Sequence, residues 1–550
     1  MREPLVLTID FGTQSVRAML FDKHGKDYGK EKVHFKQPYF SKEIGWAEQT
    51  PEFYWDRLKE ATLGLKAQCE DLWDDIKAVV VTTIRDTAVI VDKDCKTSAC
   101  NWVHEYEPEV WNKMYKYLMF SGYITFRLTG VMKDSVANQI GHIPFDYKQK
   151  TWQGAHAITA PIFDLKAENM CELVEPGTVI GYITEEASRD LGIKAGLPLI
   201  ASGSDKGCET LGSGCIDSTG ASLSLGTTAT VQMTTDKYVE PEPFVPSYPA
   251  VLPGKYNPEV EIYRGYWMLS WFKNEVAHKE VKEAKELGIA AEELLNRHIK
   301  DVPPGCDGLI LQPYWTPGIK HPTARGAILG FSDCHTRAHL YRAIIEGIAY
   351  GLYDGLLSIQ RKTKIKVEFL AVSGGGSESD EICQITANIM GIPVRRAQTY
   401  ETSSLGAAIT AFTGIGVYNS FEEAAKNMVH ISAEFKPDMK EHELYYKLYS
   451  RIYRRIYPNN KKLYDDLKSI LRSTKAESER KHAISSANSE IQKERHKLEN
   501  ENRDRRAEIQ KLENRVLQRE ANIDKKSQYL EDKERNIENK MKQIKEKEEK

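Results

Sequence analysis

The chain opens on a continuous apolar run, LVLTI from Leu5 to Ile9, which ends on Asp10 and is followed by the small polar stretch GTQS. From Val16 to Asp22, VRAMLFD, apolar and polar positions mostly alternate before HGK turns the chain again. A short unbroken run followed by period-two alternation predicts a buried strand, a tight turn and a second strand. The same order returns near the middle. LPLIASGSDKGCETLGSG places Asp205 in a glycine-flanked turn after an apolar strand, and ASLSLGTTATVQM predicts strand, Gly-Thr-Thr turn, strand. A third case, VEFLAVSGGGSESDEICQITANIMG, predicts a strand, a triple glycine and then an amphipathic helix. Beyond residue 472 the pattern changes. Ile509, Val516, Ile523, Leu530, Ile537 and Ile544 recur every seven positions, and Ile484, Ile491, Leu498 and Leu512 form a second row offset by four. That is the coiled-coil period, although the second row then fails at Arg519, Lys526 and Lys533.

Composition sharpens this division. Residues 473–550 hold 21 Lys/Arg and 18 Asp/Glu and lack Gly, Pro, Cys, Phe and Trp, so they cannot bury a core and predict a solvated helix. Self-association along its weak seam and a single partnerless helix both remain open. With 550 residues, the chain is long enough for two sizeable domains and this appendage. No run approaches the roughly 20 apolar residues of a membrane span, and the N-terminus lacks a secretory h-region. A net charge of -3 argues against a globally basic nucleic-acid binder. Nine scattered cysteines without CxxC or zinc spacing fit free thiols in a reducing cytoplasm.

An acid at a strand end beside Gly-Thr-x-Ser suits phosphate and magnesium: backbone N–H groups and hydroxyls face phosphate oxygens while the carboxylate holds a hydrated Mg²⁺. One such turn is ordinary. Three in one chain point to phosphoryl chemistry.

Together these segments resemble the FGGY carbohydrate kinase family, of the actin, hexokinase and Hsp70 superfamily. IDFGTQSVRA matches its first phosphate motif, SGSDKGCETLGSG the segment with the catalytic aspartate, and SLGTTATV the second phosphate motif. TARGAILGFSDCHTRAHLYRAIIEGIAYGL, SGGGSESDEICQITANIMGIPV and ETSSLGAAITAFTGIG resemble the C-terminal signature, the adenosine motif and the connecting helix. The resemblance implies an α/β fold of two ribonuclease-H-like domains around a cleft, hinged near residues 202–222. The expected boundaries are 1–202, 203–472 and 473–550, the last being the charged helix.

It also implies an ATP- and Mg²⁺-dependent enzyme acting on a sugar or polyol. Asp205 would be the general base and Asp10 the acid that holds Mg²⁺ through water. Thr13, Ser15, Gly226 and Thr227 would line the phosphate path. Gly326, Gly330, Gly375, Gly376 and Ser379 would contact the nucleotide, and Arg85 with Asp86 would grip sugar hydroxyls. For Arg85 and Asp86 a plain salt-bridged pair is the competing reading, and for Trp267, Trp271 and Trp315 core packing competes with sugar stacking.

Two features depart from the family. After VVVTTIRDTAVIVDKDCK it continues with a Trp-x-Asp-x-Arg strand, whereas this chain passes at residues 95–97 directly to TSACNWVHEYEPEVW. That predicts an internal deletion and a second reading, a catalytically silent nucleotide-binding protein with an interaction helix. The tail, HKLENENRDRRAEIQKLENRVLQREANIDKKSQYLEDKERNIE, resembles the coiled-coil region of ribonuclease Y. No nuclease residue accompanies it, so an RNA-processing role lacks every catalytic element.

Overall fold

The structure is a computed structural model that describes residues 3–35, 49–92, 97–99, 111–141, 143–154, 165–473, 530–531 and 533–541. The expected junction at residues 95–96 and the seam positions from Ile484 to Ile523, with Ile544, lie outside the described residues. Two compact units are present: a body within residues 1–465 and a second unit that takes in Asp466 onward.

The body is built on two six-stranded sheets. The first contains β1 (Leu5–Phe11), β2 (Ser15–Asp22), β3 (Asp27–His34) and β4 (Ile76–Thr83), with helix α1 (Pro51–Gln68) packed on it. β5 (Ala88–Asp92), β6 (Thr97–Ala99) and β7 (Met114–Met119) form a separate antiparallel sheet. Its pairing Val91↔Thr97 joins the strands on either side of the expected deletion. β8 (Val179–Tyr182) and β9 (Pro198–Ile200) complete the first sheet, in the order β8-β9-β4-β1-β2-β3. Helix α2 (Asp205–Gly212) leads out of it.

The second sheet has β10 (Gly220–Leu225), β11 (Ala229–Met233), β12 (Glu259–Ile262), β13 (Phe369–Ser373), β14 (Val394–Ala397) and β15 (Ile431–Phe435), ordered β12-β11-β10-β13-β14-β15. It repeats the first sheet. β1 pairs antiparallel with β2 and parallel with β4, as β10 pairs antiparallel with β11 and parallel with β13. The hairpins close alike, Phe11 opposite Val16 and Leu225 opposite Ala229. Repetition of one topology meets the expectation of two ribonuclease-H-like domains. The all-buried β1 and β10 fit strands covered on both faces.

Helices α3 (Trp267–Glu275), α4 (Arg337–Thr363), α5 (Asp380–Met390) and α6 (Thr402–Gly414) cover the second sheet and the space between the sheets. α4 buries an ion pair, Arg342 Nε to Glu346 Oε1 at 2.8 Å, which Tyr445 joins by donating its hydroxyl to Glu346 at 2.8 Å. Trp267, Trp271 and Trp315 pack against this second core, and Trp271 meets Trp315 edge to face at 5.6 Å. A further core joins the lobes: Val6, Met19 and Val80 of the first sheet meet Leu211 of α2 and Leu405, Ala408 and Phe412 of α6. There α2 and α6 cross almost backbone to backbone. A Cβ on Gly406 would fall 1.9 Å from the Cys208 carbonyl oxygen, and one on Gly212 would fall 2.0 Å from that of Thr402.

The C-terminal helices are α7 (Met439–Leu448) and α8 (Arg454–Ser473), joined by one π turn. In the second unit the described residues 530–531 and 533–541 are helical, and the predicted seam residues Leu530 and Ile537 are exposed. No helix among the described residues is long and apolar enough to cross a membrane.

Gly406→Val should cost about 1–3 kcal/mol, since the contacted atom is backbone and cannot rotate away. Gly375→Ala, with open space around its Cβ position, should cost much less. Urea unfolding of both variants decides this, and equal midpoints would show that the crossing tolerates side chains.

Candidate active site

Each turn singled out in the sequence lies at the C-terminal end of a parallel strand, where open α/β sheets place their ligands. Asp10 is the penultimate residue of β1, is buried, and has Arg17 of β2 as its cross-strand partner. Arg17 Nη1 donates to Asp10 Oδ2 at 2.9 Å, and its Nε lies 3.3 Å from Glu401, which also pairs with Lys30 at 3.2 Å. Burial pushes the Asp10 carboxyl up to about 6 against the pull of Arg17, with Asp205 and Glu401 adding to the rise. Gly12 N–H donates to the Ser15 carbonyl at 2.9 Å and closes the first turn, which leaves Thr13 exposed and Ser15 buried.

Asp205 is the first residue of α2. Ser204 caps the helix by accepting from Gly207 N–H at 3.2 Å, and Thr82 of β4 donates to the Gly203 carbonyl at 2.9 Å, which fastens this loop to the first sheet. The helix N-terminus stabilises charge on Asp205, as a dipole end does for any acid there. Burial raises its carboxyl above the ordinary aspartate range, while Lys206 and Arg85 draw it down. Lys206 Nζ reaches Glu209 at 2.6 Å and Ser224 of β10 at 2.5 Å, and Glu209 accepts from Ser373 of β13. This chain of contacts ties the Asp205 helix to both strands that carry the second lobe's turns. Burial alone would raise Glu209, but Lys206 and the serine hydroxyls hold it below the usual glutamate value.

Those two turns adjoin. Gly374 has φ 76°, and a Cβ on it would lie 3.2 Å from Gly226 N. Tyr266 N–H donates to the Gly226 carbonyl at 3.0 Å and Trp267 N–H to that of Thr227 at 3.4 Å. Nothing lies within 4 Å of the Cβ position on Gly375, and the nearest atom to that on Gly226 is 3.6 Å away. The other glycines differ. Gly376 faces the Tyr266 ring, where a Cβ would fall 2.7 Å from Cε1. Gly326 lies under Trp315, and Gly330 has φ 96° with a Cβ position 2.1 Å from the Gly308 carbonyl oxygen, so packing requires glycine at both. Ser379 caps α5, accepting from Ile382 N–H at 3.3 Å.

Arg85 follows β4, and its guanidinium meets Glu259 of β12 at 2.9 Å and Glu261 at 3.9 Å. Asp86 instead turns toward Gly141 with φ 54°, and its N–H donates to the Ile140 carbonyl at 2.9 Å. Burial raises the Glu259 carboxyl although Arg85 opposes it. Sequence reading missed Arg17, Lys206, Glu209, Glu259 and Glu401. Arg17 stood inside a motif and showed only as a polar strand position, whereas Glu259 and Glu401 reach the site by tertiary folding and carry no local signal.

A sequence model of the FGGY family of carbohydrate kinases, N-terminal domain, matches residues 5–100 and 95–212, and that of the C-terminal domain matches 221–415. Residues 465–550 match the RNase Y N-terminal region. An uncharacterized sugar kinase, YgcE, of Escherichia coli is 31% identical over 451 residues, covering 80% of this chain and 90% of its own length. A xylulose kinase of Staphylococcus epidermidis is 26% identical, covering 81% of this chain and 95% of its own length. Among solved structures, ligand-bound xylulose kinase from Lactobacillus acidophilus superposes with a TM-score of 0.73 at 21% identity, covering 84% of this chain and all of that one. Plasmodium falciparum glycerol kinase with ADP gives 0.67 at 17% identity, covering 82% and 98%. The repeated sheets, the turns gathered at their strand ends and these matches have one reading: the chain belongs to the FGGY family of carbohydrate kinases.

Proposed function

We propose that the chain transfers the γ-phosphoryl group of ATP to a hydroxyl of a sugar or polyol, with Asp205 as general base. The observation that carries this reading is the gathering of three small-residue turns and the carboxylate that begins α2 at the strand ends of two repeated sheets. Thr13 and Ser15 on one side, and Gly226 and Thr227 on the other, offer N–H groups and hydroxyls to phosphate oxygens. Gly375 and Gly376 let a nucleotide approach the backbone, and the open space at Gly375 is a cradle that a side chain would fill. In this reading Ser379, Gly326 and Gly330 serve as further nucleotide contacts.

Asp10 suits a hydrated divalent ion. Its Oδ2 is engaged by Arg17, and among the described residues no group of three or more His, Cys, Asp or Glu is placed to hold a metal. In this reading Asp10 would hold the ion through its water shell, as Mg²⁺ accepts. Bound there, Mg²⁺ supplies neutralisation of phosphate charge. Asp205 takes the hydroxyl proton onto a carboxylate oxygen as that hydroxyl attacks, a role that needs reach and a retained negative charge. Burial raises the Asp205 carboxyl, and Lys206 and Arg85 oppose that rise. Arg85 and Asp86, on the loop after β4, are the candidates for the sugar hydroxyls.

The second reading, a silent nucleotide-binding protein, is favoured by the N-terminal family match, which comes in two segments that meet at residues 95–100. The chain division expected from sequence, 1–202, 203–472 and 473–550, remains our working division, with the last segment an interaction helix in the second reading.

Asp205→Asn keeps size and most hydrogen bonds but cannot take the proton. In a coupled ADP-release assay over ketoses, polyols and aldoses, kcat should fall about 10²–10⁴-fold with KM little changed. Full kcat in the variant would overturn the base assignment.

Gly375→Val should weaken ADP binding at least about tenfold, roughly 1.4 kcal/mol, by calorimetry. Unaltered affinity would remove the third turn from the nucleotide site. Ending the chain after Arg472 should leave ADP affinity within error of the full chain, and a tenfold loss would assign the tail a part in nucleotide binding.

A further inference from the structure

We propose that the first lobe holds one buried monovalent cation of about potassium size beside Asp134, next to the loop that leads into Asp205. The proposal is independent of the kinase reading, since it concerns an ion bound inside the fold and not transfer. Asp134 is 1% exposed. Ser135 N–H and Asn138 Nδ2 donate to its Oδ1 at 2.7 and 2.9 Å, and Ser121 Oγ and Gln139 Nε2 donate to its Oδ2 at 2.6 and 2.9 Å. With two donors on each oxygen, no place is left for a proton, and the group is a carboxylate. Burial raises its titration, and the same donors oppose the rise. All four donors are neutral. The neighbouring cations are engaged elsewhere: Lys133 with Glu172 at 2.7 Å, Lys116 with the Glu168 and Met170 carbonyls at 2.8 Å, and Arg127 with the Tyr123 hydroxyl at 2.8 Å. A buried charge without a counter-charge is costly, however well it is hydrogen-bonded.

A cavity of about 10 Å³, room for one water-sized sphere, adjoins this carboxylate. Asp134, Asn138, Ser121, Thr125 and Ser202 are among the residues that line it, beside Val81 of β4. The donation that fixes the Asn138 amide on Asp134 leaves its Oδ1 buried without a partner. The Gln139 amide is set in the same way: its Nε2 also donates to the Ser135 carbonyl at 2.9 Å, and its Oε1 is unpartnered. A water satisfies an amide oxygen but leaves the carboxylate charge uncompensated, whereas a cation meets both demands. Divalent ions ask for several carboxylates, and among the described residues no group of three or more His, Cys, Asp or Glu is placed to hold one. One carboxylate with neutral amide and hydroxyl oxygens suits a larger, singly charged ion that exchanges its water for such oxygens. The sphere that the cavity admits has about the radius of K⁺. From there the effect reaches the strand-end loops. The Ala137 carbonyl accepts from Ser204 N–H at 3.2 Å and the Ile140 carbonyl from Asp86 N–H at 2.9 Å, so an ion that stiffens residues 134–140 steadies both loops.

The experiment is thermal unfolding of the full chain in the chlorides of K⁺, Li⁺ and N-methyl-D-glucamine, all at an ionic strength of about 0.15 M. K⁺ should raise Tm saturably, by about 3 °C or more over both other salts. Asp134→Asn keeps the shape of the side chain and removes its charge, and it should abolish the difference between the salts. A carboxylate needed only for its hydrogen bonds would instead lower Tm equally in every salt and leave the K⁺ shift intact. Thallium(I), which replaces K⁺ and scatters anomalously, keeps the test decisive if the variant does not fold: wild-type crystals soaked in thallium(I) acetate should show a peak in the Asp134 cavity. Three results would overturn the proposal: a wild-type Tm in K⁺ no higher than in the other salts, a K⁺ shift unchanged in Asp134→Asn, or a cavity without thallium, which would make its occupant water only. None of these measurements involves phosphoryl transfer, so failure of the kinase reading and failure of this one are told apart.

Discussion

The arrangement of the site depends on one contact, the glycine-to-glycine crossing of α2 and α6. With Gly212 and Gly406 bare, the helices approach until main-chain atoms touch, so α2 lies at a fixed depth between the sheets. Asp205, at the N-terminal end of α2, inherits that position. The apolar residues around the crossing come from both the first sheet and α6, so the same contact also joins the lobes. Small residues here serve close approach, and the stability comes from the surrounding Leu, Ala and Phe, which the approach brings into contact.

Charge then refines what packing has positioned. Two ionic chains converge on the site, the first partly exposed at Lys30 and Arg17 and the second more deeply buried. One runs Lys30–Glu401–Arg17–Asp10 and links the segment before α6 to the first turn. The other runs Lys206–Glu209–Ser373 with Ser224 and links α2 to β10 and β13. Buried charges are expensive unless paired and hydrogen-bonded, so such chains tolerate few alternative geometries. Their effect is to hold the carboxylates of Asp10 and Asp205 near each other, which adds to the rise that burial imposes on the Asp10 carboxyl.

The repeated topology explains why the turns converge. Each sheet brings a hairpin at the end of its first parallel strand, and two copies of one topology present two equivalent turns. The second lobe adds the glycine loop after β13, which leans on Gly226. The tail stands apart from this logic: its seam residues Leu530 and Ile537 are exposed, and its match to the RNase Y N-terminal region begins at residue 465, inside helix α8. The charged composition becomes evident only after residue 472, at the C-terminal end of helix α8.

Sequence by itself determined the local pieces. The run ending on Asp10, the Gly-Thr-Thr hairpin and the triple glycine became the elements their patterns predicted, because strand and glycine-turn signals are set within a few residues, whereas Asp205, expected in a turn, begins helix α2. The heptad spacing likewise marked the tail. Tertiary structure alone decided the partners. Arg85 pairs with Glu259, 174 positions away, and not with adjacent Asp86, since the turn at Asp86 sends neighbouring side chains in different directions. Glu401 reaches Arg17, and Lys206 finds Ser224, only because parallel strands bring distant segments to one edge. Gly326 and Gly330 show the same limit from the other side: a glycine in sequence signals the need for no side chain, and only the folded surroundings tell whether a ligand or a Trp315 ring takes the space.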